Sequence, residues 1–162
     1  MEEDREAAID AILAGNTSQL CGFKILEGHY AIPVLEVQEV VKPQRVTPVP
    51  LGPDYVDGLI NLRGQIVTAI NLRVLFGLEK EKENEDYMNI IVRWGDGLYA
   101  LVVDEIMDVM DIENATFEET PDTIDDSLKK YIRGVFKQES NLLTLLSLEK
   151  ILDIKRGIKN EQ

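Results

Sequence analysis

The chain has 162 residues, of which 44% are hydrophobic, and a formal net charge of −13. This hydrophobic content excludes a disordered chain and can supply the core of one domain or of two small lobes. No run of 18 or more apolar residues occurs, so no transmembrane helix is expected. The surplus of acids disfavours direct binding to nucleic acid or anionic lipid, because like charges repel.

Residues 1–17 form an acidic N-terminal extension. Apolar residues between Ala7 and Leu13 could line one side of a short helix that ends at Gly15. A frayed tail is an equal alternative, because so short a helix is marginal when isolated. The acidic start also differs from the basic start of a signal peptide, so secretion is not expected.

From residue 18 onward the sequence has the period of β-strands. Cys21 alternates with Phe23 and Ile25, which predicts a buried thiol in a strand. A single cysteine cannot form an intrachain disulfide, and its presence fits a reducing compartment. Residues 30–41 form a long apolar stretch, which should be broken at Pro33 or lie at the edge of a sheet, because proline lacks the backbone donor of a ladder.

A second pair of strands is expected in the middle of the chain. The two strands are predicted at residues 55–62 and 65–70. Arg63 and Gly64 form the turn between them, and Asn71 is a suitable N-cap for the short helix that follows. The charged run 79–86 has no apolar period and is predicted to be a solvated linker.

The most informative feature is an internal repeat. Three pairs of positions anchor it: Gly28 with Gly97, Gly58 with Gly134, and Asn71 with Ser147. The offset grows from 69 to 76 residues, so the second copy should carry a longer middle loop, placed at residues 116–130. Two such halves predict two similar small β-barrels, the first over residues 18–80 and the second over 87–156.

A duplicated pair of barrels also raises the possibility of an enzyme. In aspartic proteases each half supplies one carboxylate to a shared pair. Asp57-Gly58 is the candidate in the first half, but the repeat places Arg133 opposite Asp57. A cation cannot act as the second carboxylate, so this site is not expected. A hydrolase with a groove between the barrels remains the alternative from another functional class.

Other catalytic and metal sites are not expected either. His29 is the only histidine and lies in a predicted turn, and no zinc or nucleotide-binding motif occurs. The acids at 104, 105, 108 and 111 are dense, but they lack the spacing of an EF-hand loop. In a strand they would be divided between both faces, which predicts a solvated edge. We therefore expect no catalytic residue, no metal and no cofactor.

The segment 58–73, which contains Asn-Leu-Arg-Gly at 61–64, resembles the signature of the CheW family. The resemblance extends over about residues 18–156. It implies an all-β fold of two intertwined five-stranded SH3-like barrels with short helices. It also implies a non-catalytic adaptor of chemotaxis. Such an adaptor couples the cytoplasmic tips of chemoreceptors (methyl-accepting chemotaxis proteins) to the regulatory domain of the histidine kinase CheA and helps to control its activity.

The same resemblance implies a cytoplasmic protein recruited to receptor arrays at the inner face of the membrane. It places Val37, Glu39, Gly58 and Arg63 at family positions linked to partner binding. Each has a simpler alternative, respectively a core valine, a solvated acid, a tight backbone path and an ordinary hairpin turn. An internal salt bridge to Glu39 is a further competing account of Arg63. The CheW-like fold also occurs within CheA and CheV-type proteins. We expect a stand-alone member, with an adaptor of another signalling pathway as the alternative.

Overall fold

The computed structural model describes residues 19–79, 86–111, 116–118, 120–138 and 141–153. In these ranges it is dominated by strands. The first copy of the repeat contains β1 (Gln19–Ile25), β2 (Gly28–Pro33), β3 (Val37–Val41), β4 (Val46–Thr47), β5 (Val56–Leu62) and β6 (Gln65–Asn71). The second contains β7 (Met88–Trp94), β8 (Gly97–Val103), β9 (Glu105–Asp111), β10 (Thr116–Glu118), β11 (Ile132–Gln138) and β12 (Asn141–Leu146).

Helices are short. They are α1 (Leu72–Leu75), α2 (Asp126–Lys129) and α3 (148–153), together with a 3₁₀ turn at Val34–Glu36. That turn lies directly after Pro33, as expected for a residue that cannot continue a ladder. Asn71 caps α1, because its side-chain oxygen accepts a hydrogen bond from the Val74 backbone N–H at 3.2 Å.

The strands form two six-stranded sheets with matching orders. The first sheet runs β10-β11-β12-β2-β1-β9, and the second, read from the corresponding edge, runs β4-β5-β6-β8-β7-β3. Each sheet therefore takes its β1–β2 or β7–β8 hairpin from the other copy of the repeat. In each sheet the short edge strand, β4 or β10, adds to five longer strands. The prediction of two intertwined barrels of SH3-like type is confirmed.

Parallel pairing is the signature of this exchange. Thr68 of β6 lies opposite Tyr99 of β8, and Thr144 of β12 lies opposite Tyr30 of β2. Both pairs join one copy to the other and occupy equivalent positions of the repeat. A parallel pair cannot be closed by a two-residue turn, so each needs a long connection through the chain.

Small irregularities recur as well. The register shifts between Val56 and Gly58 on β5 and between Ile132 and Gly134 on β11. The Asn71 N–H donates to the Tyr55 carbonyl at 2.7 Å, and the Ser147 N–H donates to the Tyr131 carbonyl at 2.8 Å. These matched bulges and bonds indicate that the duplication preserved backbone geometry as well as sequence.

Each barrel has its own apolar core. In the first sheet one cluster of buried residues consists of Leu20, Ala31, Phe136, Leu143 and Leu145. In the second sheet a cluster consists of Ile60, Leu62, Val67, Ala69, Ile91, Leu98, Ala100 and Val102. Cys21 is buried as predicted, and its burial raises the pKa of the thiol because the charged thiolate loses solvation.

The compact units of the fold are interleaved in sequence. The first takes its described residues from 19–22, His29–Leu35 and the chain from Asp108 onward. The second consists of Phe23–Gly28 and Glu36–Met107. The halves 18–80 and 87–156 thus describe the duplicated sequence, and each spatial unit draws on both. The exchange of hairpins is the physical reason.

The longer middle loop expected at residues 116–130 is only partly a loop. Residues 116–130 are not all loop, because β10 pairs with β11 and α2 lies within the segment. The sequence did not reveal β10 because a strand of three residues is too short to show an alternating pattern. In the structure, Phe117 of β10 packs edge-on against the Phe136 ring at a centroid distance of 4.9 Å. The proposed helix at the N-terminus and most of the linker at 79–86 lie outside the described residues.

Candidate partner-binding site

The β5–β6 hairpin presents Arg63 at its tip. Arg63 and Gly64 have φ values of 51° and 86°, the left-handed pair of a two-residue type I′ turn. The Asn61 side-chain oxygen accepts the Gly64 N–H at 3.0 Å, which holds the turn in this form. The Arg63 side chain is 66% exposed, so the prediction that it projects from a turn is confirmed.

Glu39 is the partner of Arg63 in this structure. An oxygen of the Glu39 carboxylate accepts a hydrogen bond from Nη2 of Arg63. Glu39 lies on β3, at the opposite edge of the second sheet from the β4 end that flanks the hairpin. Two strands, β7 and β8, separate β3 from β6 in the strand order, so a direct contact between Glu39 and Arg63 requires the sheet to curl. Because the pair is well exposed, its contribution to stability is at most about 1 kcal/mol.

Val37 lies two residues before Glu39 on the same strand. It is half-buried and pairs in register with Val92 on β7, and a bulge separates it from Glu39. Val40, the next residue after Glu39, is an exposed apolar side chain. The strand β3 therefore combines an exposed valine, an ion-paired acid and a half-buried valine within four positions.

Gly58 occupies a position that no other residue fits. Its φ is 147°, and a Cβ placed there would lie 2.2 Å from the Thr47 carbonyl oxygen and 2.8 Å from Cγ1 of Val46. These atoms belong to β4, which pairs with β5 through Val46–Ile60 and Thr47–Leu59. Gly58 presents no side chain to a partner, and its physical role is to let β4 lie against β5.

The four predicted residues thus lie within one compact unit. Arg63 and Glu39 are in direct contact, Val37 shares the strand of Glu39, and Gly58 shares the hairpin of Arg63. Whether they contact a partner stays a prediction. The simpler alternatives hold in part, since Gly58 permits a close backbone approach and Arg63 forms a hairpin turn.

A second, more buried ion pair was not predicted. Arg73 of α1 is only 7% exposed and contacts Asp104 with two nitrogens, Nε to Oδ1 at 2.9 Å and Nη2 to Oδ2 at 2.8 Å. Its Nη1 also donates to the Glu79 carbonyl at 3.4 Å. The expectation that the acids near Asp104 form only a solvated edge is wrong for Asp104. The signal for this ion pair in the sequence was Arg73, the one charged residue of the otherwise apolar segment 72–76.

Asp104 in turn holds the β1–β2 turn. Its Oδ2 accepts the Leu26 N–H at 2.6 Å, and its own N–H donates to the Lys24 carbonyl at 3.0 Å. Leu26 has a φ of 52° and is an exposed leucine. We call the set of Arg73, Asp104 and the Lys24–Leu26 backbone the turn clamp.

Asp57 is the carboxylate that the sequence offered for a catalytic pair. Both Asp57 oxygens lie within 3.4 Å of Nδ2 of the buried Asn71, so this carboxylate is part of the support of α1. Among the residues that the structure describes, no group of three or more His, Cys, Asp or Glu could hold a metal ion. None of the helices in the same ranges is long and apolar enough to cross a membrane.

Comparison with known proteins places this geometry in a family. The model of the CheW-like domain matches residues 19–156. This chain belongs to the CheW-like family. A chemotaxis protein CheW of Helicobacter pylori is 36% identical over 153 residues, which covers 93% of this chain and 92% of that protein. A chemotaxis protein CheW of Treponema pallidum is 31% identical and covers 85% of this chain and 83% of its own length.

A solved structure of a CheW-like protein supports the fold. The crystal structure of the scaffolding protein TtCheW from Thermoanaerobacter tengcongensis superposes with a TM-score of 0.70 at 29% identity. The match covers 82% of this chain and 90% of TtCheW. The resemblance to the CheW family, which the Asn-Leu-Arg-Gly turn indicated, is thereby confirmed. These comparisons also support a chemotaxis adaptor of the CheW type.

Proposed function

We propose that this protein is a non-catalytic adaptor that couples chemoreceptor cytoplasmic tips to the regulatory domain of the histidine kinase CheA. The observation that carries the proposal is the family match over residues 19–156, which includes the hairpin with Arg63 at its tip. An adaptor needs exposed contact groups on a rigid scaffold, and the hairpin supplies a guanidinium on paired strands. In the cell, the protein acts in the cytoplasm at receptor arrays.

The chemistry of Arg63 suits the receptor. A guanidinium offers several donors in a fixed plane, which bind carboxylates or carbonyls at a helix end. The contact with Glu39 engages Nη2, and the side chain remains mostly exposed. On a chain of net charge −13, an exposed arginine is a distinctive anchor for an acidic or carbonyl-bearing group. Glu39 contacts this anchor, Val37 lies on the same strand as Glu39, and Gly58 acts through β4.

Replacing Arg63 tests the proposal. Arg63→Asn should keep the fold, because asparagine tolerates a φ of 51° and a surface ion pair contributes at most about 1 kcal/mol. It should weaken binding of a receptor fragment at least tenfold, or about 1.4 kcal/mol. The two measurements are a melting curve and a titration with the fragment, made on the same preparation.

Glu39→Gln is the matched control. It removes the ion pair while leaving the guanidinium in place. If the pair is purely structural, Glu39→Gln and Arg63→Asn should lower the melting temperature by the same small amount. Unchanged receptor binding by Arg63→Asn would sink the role of Arg63. Binding to the kinase domain without binding to any chemoreceptor fragment would favour an adaptor of another signalling pathway.

The exposed apolar residues predict how the adaptor assembles. Val40 and Val109 occupy equivalent positions of the repeat, as do Ile66 and Leu142, and all four are exposed. Two similar surfaces on one chain allow heterologous contacts that close into rings when the rotation permits. We expect weak self-association alone and mixed assemblies with the CheA regulatory domain at tens of micromolar, a range of order 10⁻⁵ M typical of weak contacts. Sedimentation velocity without any mixed species would contradict this.

The domain organisation remains part of the proposal. Residues 1–17 are an acidic extension, and 18–162 form the CheW-like domain with its two barrels. The family match begins at residue 19, in keeping with that boundary.

A further inference from the structure

The β1–β2 turn differs from its counterpart in the second copy of the repeat. Position 26 aligns with position 95, and both have a left-handed backbone, with φ values of 52° and 58°. The second copy uses glycine, for which this conformation is unhindered, whereas the first uses leucine. The same turn geometry is thus available without a side chain, so the fold does not require leucine here.

The turn clamp is also absent from the equivalent positions. Arg73 aligns with Glu149 and Asp104 aligns with Leu35, and both counterparts are exposed. Within the second compact unit, the part-buried Arg73–Asp104 pair holds the backbone at the Lys24 carbonyl and at the Leu26 N–H. A side chain in an unfavourable conformation persists only where its surroundings hold it, and such positions concentrate at functional sites.

The environment of the turn is acidic. Leu26 is 39% exposed, although it is a large apolar side chain. Glu27, next to it, is exposed, and so are Glu79, whose carbonyl accepts from Arg73, and Glu105, which follows Asp104. Against these three acids stands one lysine, the half-buried Lys24. An apolar knob with acidic neighbours fits an apolar socket bordered by basic side chains. A second copy of this chain, with net charge −13, is electrostatically unsuited to that role.

We propose that the β1–β2 turn is an interaction surface on which Leu26, held by Asp104 and Arg73, inserts into an apolar, basic-rimmed socket of the CheA regulatory domain. This rests on the proposed adaptor function. Two chemically different surfaces in one unit suit two different proteins: Arg63 takes a group with acceptor oxygens, and the Leu26 turn takes a basic-rimmed one. Arg73 and Asp104 are positioning residues, because they act through the turn.

The decisive variant is Leu26→Gly in the full chain. It copies the residue found at Gly95, so the melting temperature should be unchanged or higher. The affinity for a purified CheA regulatory domain should fall at least tenfold, or about 1.4 kcal/mol. Leu26→Asn should behave alike, since asparagine tolerates the conformation but is polar, and Leu26→Met should retain the wild-type affinity within threefold, roughly 0.7 kcal/mol.

Leu51→Gly provides a matched control. Leu51 is also an exposed leucine with a positive φ of 60°, but its turn is closed by the local Gly52 N–H to Val49 carbonyl bond. Its kinase affinity should not change. Raising the salt concentration should weaken the wild-type complex, and Glu27→Gln should reduce that dependence.

The outcomes separate this inference from the adaptor function. Unchanged kinase affinity in Leu26→Gly overturns the inference, and so does a loss confined to a soluble receptor fragment. A fall in melting temperature that accompanies the loss of affinity assigns Leu26 to the fold and likewise overturns it. Wild-type protein that binds neither probe defeats the proposed function itself.

Discussion

Gly58→Ala is expected to lower the free energy of unfolding by about 3 kcal/mol, through overpacking and an unfavourable backbone conformation together. The new Cβ would lie 2.2 Å from the Thr47 carbonyl oxygen, and backbone cannot yield as the end of a flexible side chain can. β4 would have to move away from β5, which breaks the Val46–Ile60 and Thr47–Leu59 pairing. Chemical denaturation of the variant measures the loss.

Gly64→Ala separates the two causes. Gly64 also has a positive φ, of 86°, but nothing lies within 4 Å of its Cβ position. Only the backbone cost applies there, about 1 kcal/mol. Equal losses in the two variants would contradict the close approach of β4. If Gly58→Ala also weakens partner binding, amide exchange in β4 should show whether that loss follows from displacement of the strand.

The repeat carried most of the fold. Anchor positions such as Gly58 with Gly134 recur because each glycine allows a close approach, to the Thr47 backbone in one sheet and to the Phe117 ring in the other. Because only glycine fits at such a position, comparison of the two copies of the repeat finds it. The exchange of hairpins leaves no such residue, because the sequence of β2 would be the same whether β2 paired within its own copy of the repeat or with β12.

The Arg63–Glu39 salt bridge was anticipated from the sequence as a competing account of Arg63, and the structure forms it, whereas the Arg73–Asp104 pair was not predicted. The Arg63-Gly64 turn follows from local chemistry, because glycine supplies a positive φ between two strands. The link from Arg63 to Glu39 depends on the curl of a six-stranded sheet and on side chains 24 residues apart. The Arg73–Asp104 pair joins residues 31 apart, and an acid in a dense acidic stretch gives no sign of its partner. Long-range polar pairs of this kind are properties of the folded chain.

The Arg73–Asp104 pair is expected to contribute more than its exposed counterpart, Arg63–Glu39. The Arg73 and Asp104 side chains are 7% and 21% exposed, so removal of one leaves a charge that solvent cannot compensate fully. Arg73→Met should therefore cost about 3 kcal/mol, against at most about 1 kcal/mol for Arg63→Asn. Denaturation of the two variants in one buffer makes the comparison direct.

The double variant tests whether the two charges act as a pair. In Arg73→Met with Asp104→Asn, neither charge of the pair remains, and asparagine keeps an oxygen that can accept the Leu26 N–H. The combined loss should fall short of the sum of the single losses by about 1–2 kcal/mol, as for residues in contact. Additive losses would mean that the charges are not coupled. Asp104→Ala should further accelerate hydrogen exchange of the Leu26 amide, because that amide loses its acceptor, whereas Glu39→Gln should leave its exchange unchanged.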